Sequence, residues 1–457
     1  MKLERLLKNL KDYKIYGREN IDVLSVSDDS RNVKKGGLFI AVKGLTTDGH
    51  SYIPQAIEKG VRVIVGDKKP SDKWIRHVTY VEVGNSKNAL AVIAKNWFGN
   101  PSSKLKVIGV TGTKGKTTTT HMIFHILAVS GKRVGLISSI TYPGLHVTTP
   151  DCLELNKKLK EMVDEGSMYA VIEVSSHGID QGRVAGLMFE VGVLTNIAPE
   201  HLDYHKTFAR YKKTKMDFVN SIGKQVICPK DTDIDIFPGK FNNLNAEAAV
   251  LAVQKLGISR QNALKHLRSF KLPRGRLEEI KNKKGFRIFV DFAHTTDSLE
   301  QVLTYLKTKT QGNLIAVFGC AGERDVTKRS LMGEVSVKIA DTTVLTAEDP
   351  RSEDVNLIIE QIVEGAKKVL NSKEININNF HTIMRSSNAK YKYYFRIPER
   401  GEAISFAIQK LAKRGDTVVI CGKGHEKSMC YSGVEYPWSD QEAVKVALKG
   451  GTKKIKR

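Results

Sequence analysis

The stretch GVTGTKGKTTTTH, residues 109–121, decides how this chain is read. It follows an apolar run at residues 105–110 and opens a helical pattern near Lys116. In that setting it is a phosphate-binding loop. Gly112 and Gly115 let the backbone fold tightly, so that N–H groups through Thr113 and Thr118 face an anion. Lys116 neutralises the outer phosphates, and Thr117 offers a hydroxyl to Mg²⁺. The common form G-x-x-x-x-G-K-[ST] needs a glycine where Val110 stands; this loop reads G-T-x-G-K-T.

Working outward, 457 residues exceed the size at which one hydrophobic core keeps growing, so roughly three domains are expected. The 41% hydrophobic content is spread along the chain. No uninterrupted apolar run reaches the roughly 20 residues of a bilayer-spanning helix, and no membrane span is expected. The first twenty residues mix charges with leucines and lack the apolar core of a secretion signal, which points to a cytoplasmic protein. Five cysteines, Cys152, Cys228, Cys320, Cys421 and Cys430, are widely spaced without a CxxC pair, as reduced thiols would be.

The net charge of +24 raises the question of nucleic acid. The lysines are scattered through loops and helix faces without a nucleic-acid-binding signature, so no specific nucleic-acid role is expected. An excess of this kind is suited to concentrating an anionic substrate, and composition alone does not choose between that and a solvated surface. The tail GGTKKIKR reads as a frayed basic end.

Three alternations of strand and helix follow one another. In residues 1–102, strands GLFIAV, VRVIVG and VTYVEVG alternate with helices IPQAIEKG and NALAVIAKNWF. Residues 103–272 start with the phosphate loop and carry strands KVIGV, YAVIEVS, VGVLTNI and QVICP, apolar as doubly covered parallel strands are. Residues 273–457 carry strands FRIFVDFA, NLIAVFG, TTVLTAE and DTVVICG between helices such as DSLEQVLTYLKTK and VNLIIEQIVEGAKKVL. Ligands of an open parallel sheet sit beyond the carboxyl ends of its strands, which is where HTTD, GCAGERD, EDPR and GKGHE fall. Glu173 ends one central strand and His201 follows the next; a carboxylate there suits Mg²⁺, a hard cation that balances phosphate charge.

The chain resembles the Mur ligase family over nearly its whole length, in the branch that adds a diamino acid. The segments that carry the resemblance are DDSRNVKKGGLFIAVKG, the phosphate loop, TTPD, EVSSHGIDQGRVAG, TNIAPEHLDYH, YKKTKMDF, FNNLNAEAA, RGRLE, VDFAHTTDSLE, VFGCAGERDVTKRSLMG, AEDPRSED and GKGHE. The resemblance implies an α/β fold with three domains. The first, 1–102, binds a UDP-linked substrate; 103–272 is a central P-loop ATPase; 273–457 is a Rossmann-like ligase domain that delivers the amino acid. It implies an ATP-dependent ligase that joins a diamino acid to UDP-N-acetylmuramoyl-L-alanyl-D-glutamate through an acyl phosphate, with Mg²⁺, acting as a monomer.

By the same resemblance, Ser30, Arg31, Thr148, Thr149 and Pro150 bind the UDP-muramoyl dipeptide, and Ser175 and Arg183 hold its peptide. Thr117 and Glu173 are expected on one Mg²⁺, and His201 on a second with Lys215, which corresponds to a lysine carbamylated in the family. Asn245, Arg276, Asp291 and His294 match ATP-contacting positions. Arg324, Glu348, Asp349, Pro350, Arg351, Gly422 and Glu426 match the pocket for the incoming diamino acid.

Three positions depart from the family pattern: Lys114 stands for asparagine, Glu200 for aspartate, and EDPR for DNPR. The stretch between Lys215 and FNNLN is also short, so the central domain is expected to lack a β-rich excursion. Two diamino acids stay in play. Arg351 suits the distal carboxylate of meso-diaminopimelate, whereas Asp349 could neutralise Arg351 and admit L-lysine. Retention of the arginine favours meso-diaminopimelate.

Overall fold

The computed structural model describes residues 1–44, 47–141, 148–376 and 391–455. Three separate main sheets follow one another along the chain. The first contains β1 (Tyr13–Tyr16), β2 (Val26–Ser27), β3 (Leu38–Ala41), β4 (Val63–Gly66) and β5 (Thr79–Val83), in the order β1-β5-β4-β3-β2. Every residue of β3 and β4 is buried. Leu38, Ile40, Val63 and Val65 pack on one side with Leu90, Ile93 and Ala94 of the helix Ser86–Trp97. Asn85 caps that helix by accepting from the Asn88 N–H.

The second sheet holds β6 (Lys106–Thr111), β7 (Val134–Ile137), β8 (Tyr169–Glu173), β9 (Val191–Leu194) and β10 (Lys224–Ile227), in the order β10-β9-β6-β8-β7 and parallel throughout. The central strand β6 thus has β8 on one side and β9 on the other. Val110 pairs with Glu173 and Thr111 with Leu194, so three neighbouring strands end at one level. The chain runs from β10 at Ile227 to the helix Lys240–Gln254 with no strand between, as expected for a central domain without the β-rich excursion. These first two sheets belong to one compact unit, which takes in residues 1–200, 207–232 and 244–269.

The other unit, residues 201–206, 233–243 and 270–457, is built on a larger sheet. Its strands are β11 (Glu278–Glu279), β12 (Arg287–Asp291), β13 (Leu314–Phe318), β14 (Thr342–Leu345), β15 (Ser372–Glu374), β16 (Lys392–Arg396) and β17 (Thr417–Cys421), in the order β11-β12-β17-β13-β14-β16-β15. Apart from the antiparallel β11 edge, its described pairings are parallel. A hairpin of β18 (Ser428–Tyr431) and β19 (Val434–Pro437) follows. Ser432 and Gly433 in its two-residue turn both have positive φ, 50° and 76°, the backbone that matches strand twist in a tight hairpin.

The tail corrects one expectation. Gly451 offers its carbonyl to Ser405 Oγ and Gln409 Nε2, and Lys453 pairs with Glu442. Ile455 packs against the core. The segment up to residue 455 is docked rather than frayed, because these partners take up its backbone and charge; residues 456–457 lie outside the described part. The remaining expected strands form within three residues of their predicted ends, the largest differences being at Leu194 and Leu345, where the expected runs go on to Ile197 and Glu348. The helix expected over 355–370 stops at Ala366. All five cysteines are free thiols.

Candidate active site

In the first unit the phosphate loop leaves β6 and enters the helix Lys116–Val129. Two glycines are dictated by space as well as by conformation. A Cβ on Gly112 (φ +148°) would lie 1.9 Å from Thr195 Oγ1, and one on Gly115 (φ +79°) would lie 2.0 Å from Asn245 Oδ1. The second contact also places Asn245 beside the loop. The loop is braced from the end of β9. Thr113 N–H donates to the Asn196 carbonyl (2.9 Å), Lys114 N–H to Asn196 Oδ1 (2.9 Å), and Thr195 Oγ1 to the Lys114 carbonyl (2.5 Å).

Behind the loop, Thr117 Oγ1 donates to Glu173 Oε1 (3.0 Å). The other carboxylate oxygen accepts from the N–H and Oγ of Ser139 (3.0 and 3.1 Å). Lys116 curls back to donate to the carbonyls of Gly112 (3.1 Å) and Thr113 (2.8 Å). Lys215, on the helix Phe208–Asn220, reaches the same Gly112 carbonyl at 2.7 Å and lies over the Tyr211 ring. Burial, with Lys116 adding to it, holds the Lys215 ammonium well below the ordinary lysine range, against the pull of Glu200 and Glu173.

The expected substrate residues of this unit form two groups. Thr149, Ser175 and Arg183 come together: Thr149 Oγ1 donates to the Glu173 carbonyl (3.0 Å) and accepts from the Ser175 N–H (2.9 Å), and Arg183 Nη1 donates to the Thr149 carbonyl (2.7 Å). Thr148 and Pro150 flank them. Ser30 and Arg31 sit on the first sheet's side. Ser30 Oγ donates to Gln55, Lys59 holds the Ser30 and Arg31 carbonyls, and Arg31 pairs with Asp29 in an exposed position.

In the second unit, the loops beyond β12, β17, β13 and β14 are adjacent because those strands are. Asp291 accepts from the N–H groups of Leu277 (2.6 Å) and Ala293 (2.8 Å). Burial pushes its carboxyl up, opposed by Arg276. Arg276 stacks on Phe292, and His294 Nδ1 bonds the Phe292 carbonyl, so Arg276, Asp291 and His294 gather at one strand end. His201 stands at the start of the short helix Leu202–His205 in this unit, with φ +56°.

The EDPR and GKGHE segments meet. Lys423, fully buried, donates to both oxygens of Asp349 (2.8 Å each) and to Glu426 (2.5 Å). Asp349 Oδ1 also takes the Cys430 N–H (3.0 Å). The sequence reading had Asp349 available to neutralise Arg351; Lys423 takes that carboxylate instead, because the GKGHE loop lies alongside. Among the described residues neither Arg324 nor Arg351 makes an ion pair. Partial desolvation, and next the charge of Arg351, hold the Arg324 guanidinium below its usual value. Glu348 is buried against Gly422, and its Oε2 has no hydrogen-bond partner among the described residues.

Sequence reasoning missed Ser139, Asn196, Lys423 and Arg400. The last is wholly buried. It pairs with Asp440 and donates to the carbonyls of Ala347 and Cys421, the residues just before EDPR and GKGHE. Lys423 was visible within GKGHE, but its partners lie far along the chain.

For Mg²⁺, the hydroxyl of Thr117 and the carboxylate of Glu173 are hard oxygen donors beside a phosphate cradle. The described residues contain no group of three or more His, Cys, Asp or Glu able to hold a metal by themselves. The donor pair of Thr117 and Glu173 suits a cation that completes its shell with nucleotide phosphates and water.

A nucleotide loop at the middle of a parallel sheet and, further along the chain, a Rossmann-like unit with clustered polar strand ends are the parts of a nucleotide-dependent enzyme. The chain belongs to the Mur ligase family: residues 23–97 match the Mur ligase family catalytic domain, 110–281 the Mur ligase middle domain, and 275–424 the Mur ligase glutamate ligase domain. It is similar to the UDP-N-acetylmuramoyl-L-alanyl-D-glutamate–2,6-diaminopimelate ligase of Clostridium tetani, 36% identical over 97% of this chain and 99% of that one. A relative of that name from Clostridium acetobutylicum is 35% identical over 98% and 99%. The first alignment spans 502 positions, more than the 457 residues here, so that relative carries residues this chain lacks. A solved structure of a 2,6-diaminopimelate ligase shares the fold, with a TM-score of 0.61 and 24% identity over 98% of this chain and 99% of that chain.

Proposed function

We propose that this chain is an ATP-dependent ligase that joins meso-diaminopimelate to UDP-N-acetylmuramoyl-L-alanyl-D-glutamate in peptidoglycan synthesis. The observation that carries the reading is end-to-end similarity to diaminopimelate ligases in a chain whose Arg324 and Arg351 have no ion-pair partner among the described residues. A guanidinium whose charge is disfavoured by a second one beside it suits a ligand carboxylate, which L-lysine lacks at its far end.

In the proposed reaction, the terminal carboxylate of the dipeptide attacks the γ-phosphorus of ATP, ADP leaves, and an acyl phosphate forms. The amine of the diamino acid attacks the activated carbonyl and gives up a proton, and the tetrahedral intermediate collapses with loss of phosphate. Lys116 and the loop N–H groups stabilise charge that moves toward the leaving phosphate. Thr149, Ser175 and Arg183 orient the dipeptide, while Arg324 and Arg351 hold the incoming amino acid. Thr117 and Glu173 would hold one Mg²⁺, and His201 a second with Lys215; when bound, these ions supply further neutralisation of phosphate charge.

Lys215 serves there as a carbamate. Its buried amine, disfavoured as an ammonium, attacks CO₂ through nitrogen and loses a proton, and the product exchanges a positive group for an oxygen ligand. Asn245, Arg276, Asp291 and His294 contact ATP. The domains divide at 102/103 and 272/273, and the enzyme works as a cytoplasmic monomer; no helix among the described residues is long and apolar enough to cross a membrane.

The test is phosphate release from ATP with Mg²⁺, the UDP-muramoyl dipeptide and a panel of amino acids. Release that depends on meso-diaminopimelate supports the reading. Preference for L-lysine overturns the choice of amino acid, and no release with any amino acid overturns the enzyme.

A further inference from the structure

Asp349 sits two residues before Arg351, in a loop where a negative charge works against holding a ligand carboxylate. Its field already reaches Arg324. Yet its carboxylate is turned to Lys423, which meets both oxygens at 2.8 Å, and to the Cys430 N–H at 3.0 Å. Arg351 is pinned separately. Its N–H donates to the Cys430 carbonyl, and its own carbonyl accepts from the Ser432 N–H. The same hairpin therefore fixes both residues, one on the carboxylate and one on the backbone, while the arginine side chain makes no ion pair among the described residues.

We infer that Lys423 is a specificity-determining positioning residue: by sequestering Asp349 it keeps Arg351 and Arg324 available for the distal carboxylate of the incoming amino acid. The inference rests on the diaminopimelate reading above. Lys423 is fully buried, and two carboxylates raise its ammonium above the usual lysine range against the cost of burial. It is therefore a permanent cation whose charge is already used inside the loop pair. Without it, Asp349 would be left uncompensated, free to draw on Arg324, which its field already reaches, and on Arg351 two residues along the loop. The pocket would then lose the charge that distinguishes a diamino diacid from a diamino monoacid.

The experiment is a double-mutant cycle on Lys423→Met and Asp349→Asn in the full chain. It reads the ratio of kcat/KM for meso-diaminopimelate to kcat/KM for L-lysine. Lys423→Met should lower that ratio about tenfold or more, as expected when a buried charge loses its partner. Adding Asp349→Asn to it should restore the ratio, since no carboxylate then competes for the arginines. A purely structural role would depress both substrates alike and leave the ratio where it was, which overturns the inference.

Should Lys423→Met not fold, Asp349→Asn is compared with the double variant, in which both charges are gone. Equal ratios in those two support sequestration. A further fall on removing Lys423 when residue 349 is already neutral overturns it. Glu426 loses Lys423 in both Lys423→Met and the double variant, so that loss cancels when those two are compared. Wild type that ligates no diaminopimelate would instead overturn the proposed function, a separate outcome.

Discussion

Lys215 and Lys116 donate to one acceptor, the carbonyl oxygen of Gly112, at 2.7 and 3.1 Å. Two ammonium groups on one carbonyl repel each other, and the buried one yields: Lys215 is held well below the ordinary lysine range, by burial first and Lys116 second. A neutral buried amine is a nucleophile for CO₂, whereas an ammonium is not. Incubation with ¹³C-bicarbonate should give a carbamate signal in the carbon NMR spectrum that Lys215→Ala lacks. Turnover of that variant should fall about 100-fold or more, equivalent to about 2.7 kcal/mol, and recover in part with acetate. Wild-type turnover in Lys215→Ala would remove this residue from the mechanism.

Lys116→Ala and Glu173→Ala should each abolish ligation without unfolding the chain. The first removes neutralisation from a loop whose backbone is braced independently by Thr195 and Asn196. The second removes the carboxylate behind Thr117. Circular dichroism should match wild type. Turnover above about a tenth of wild type, a barrier change of only about 1.4 kcal/mol, would mean the chemistry is elsewhere.

Much of this is legible in the sequence. The phosphate loop, Glu173 at the end of β8 and the clustered strand ends of the second unit follow from short apolar runs with polar punctuation, a local signal. What stayed hidden is long-range. Nothing near Asp349 announces Lys423, and nothing near Ala347 and Cys421 announces that Arg400 ties their carbonyls together. The short edge strand β7 went unseen because Gly135 breaks its already brief apolar run. The hairpin β18–β19 did leave a sign, Ser432-Gly433 between two strand-like runs, which the sequence reading passed over.

Glu348 gives a pH test whose sign is fixed by burial. Burial, opposed by Lys328 and reinforced by Asp349, pushes its carboxyl from 4.5 up to about 7. Between those values the folded protein holds a proton that the unfolded chain has released. The contribution to stability is therefore full below pH 4.5 and is lost as pH rises to about 7. The whole effect is on the order of 3 kcal/mol. Glu348→Gln fixes the neutral form, so urea unfolding across this range should show a flatter dependence than wild type and a relative gain in stability above pH 7. Parallel curves for the two proteins would place the titration on another group.

The choice of amino acid turns on Arg351. If its guanidinium pairs with the distal carboxylate of meso-diaminopimelate, Arg351→Ala should cost that substrate about 2 kcal/mol, roughly thirtyfold in kcat/KM, through loss of a charge-assisted pair. L-lysine has no carboxylate there and should suffer much less. The backbone complicates the alanine variant, because residue 351 has φ +54°, a left-handed conformation. Asparagine tolerates that conformation better than alanine, so Arg351→Asn removes the charge with less strain. Both variants should show the same selective loss in a competition assay with the two amino acids. Equal losses for both substrates would assign Arg351 to holding the loop, and wild-type preference for L-lysine would return the choice of substrate to Asp349.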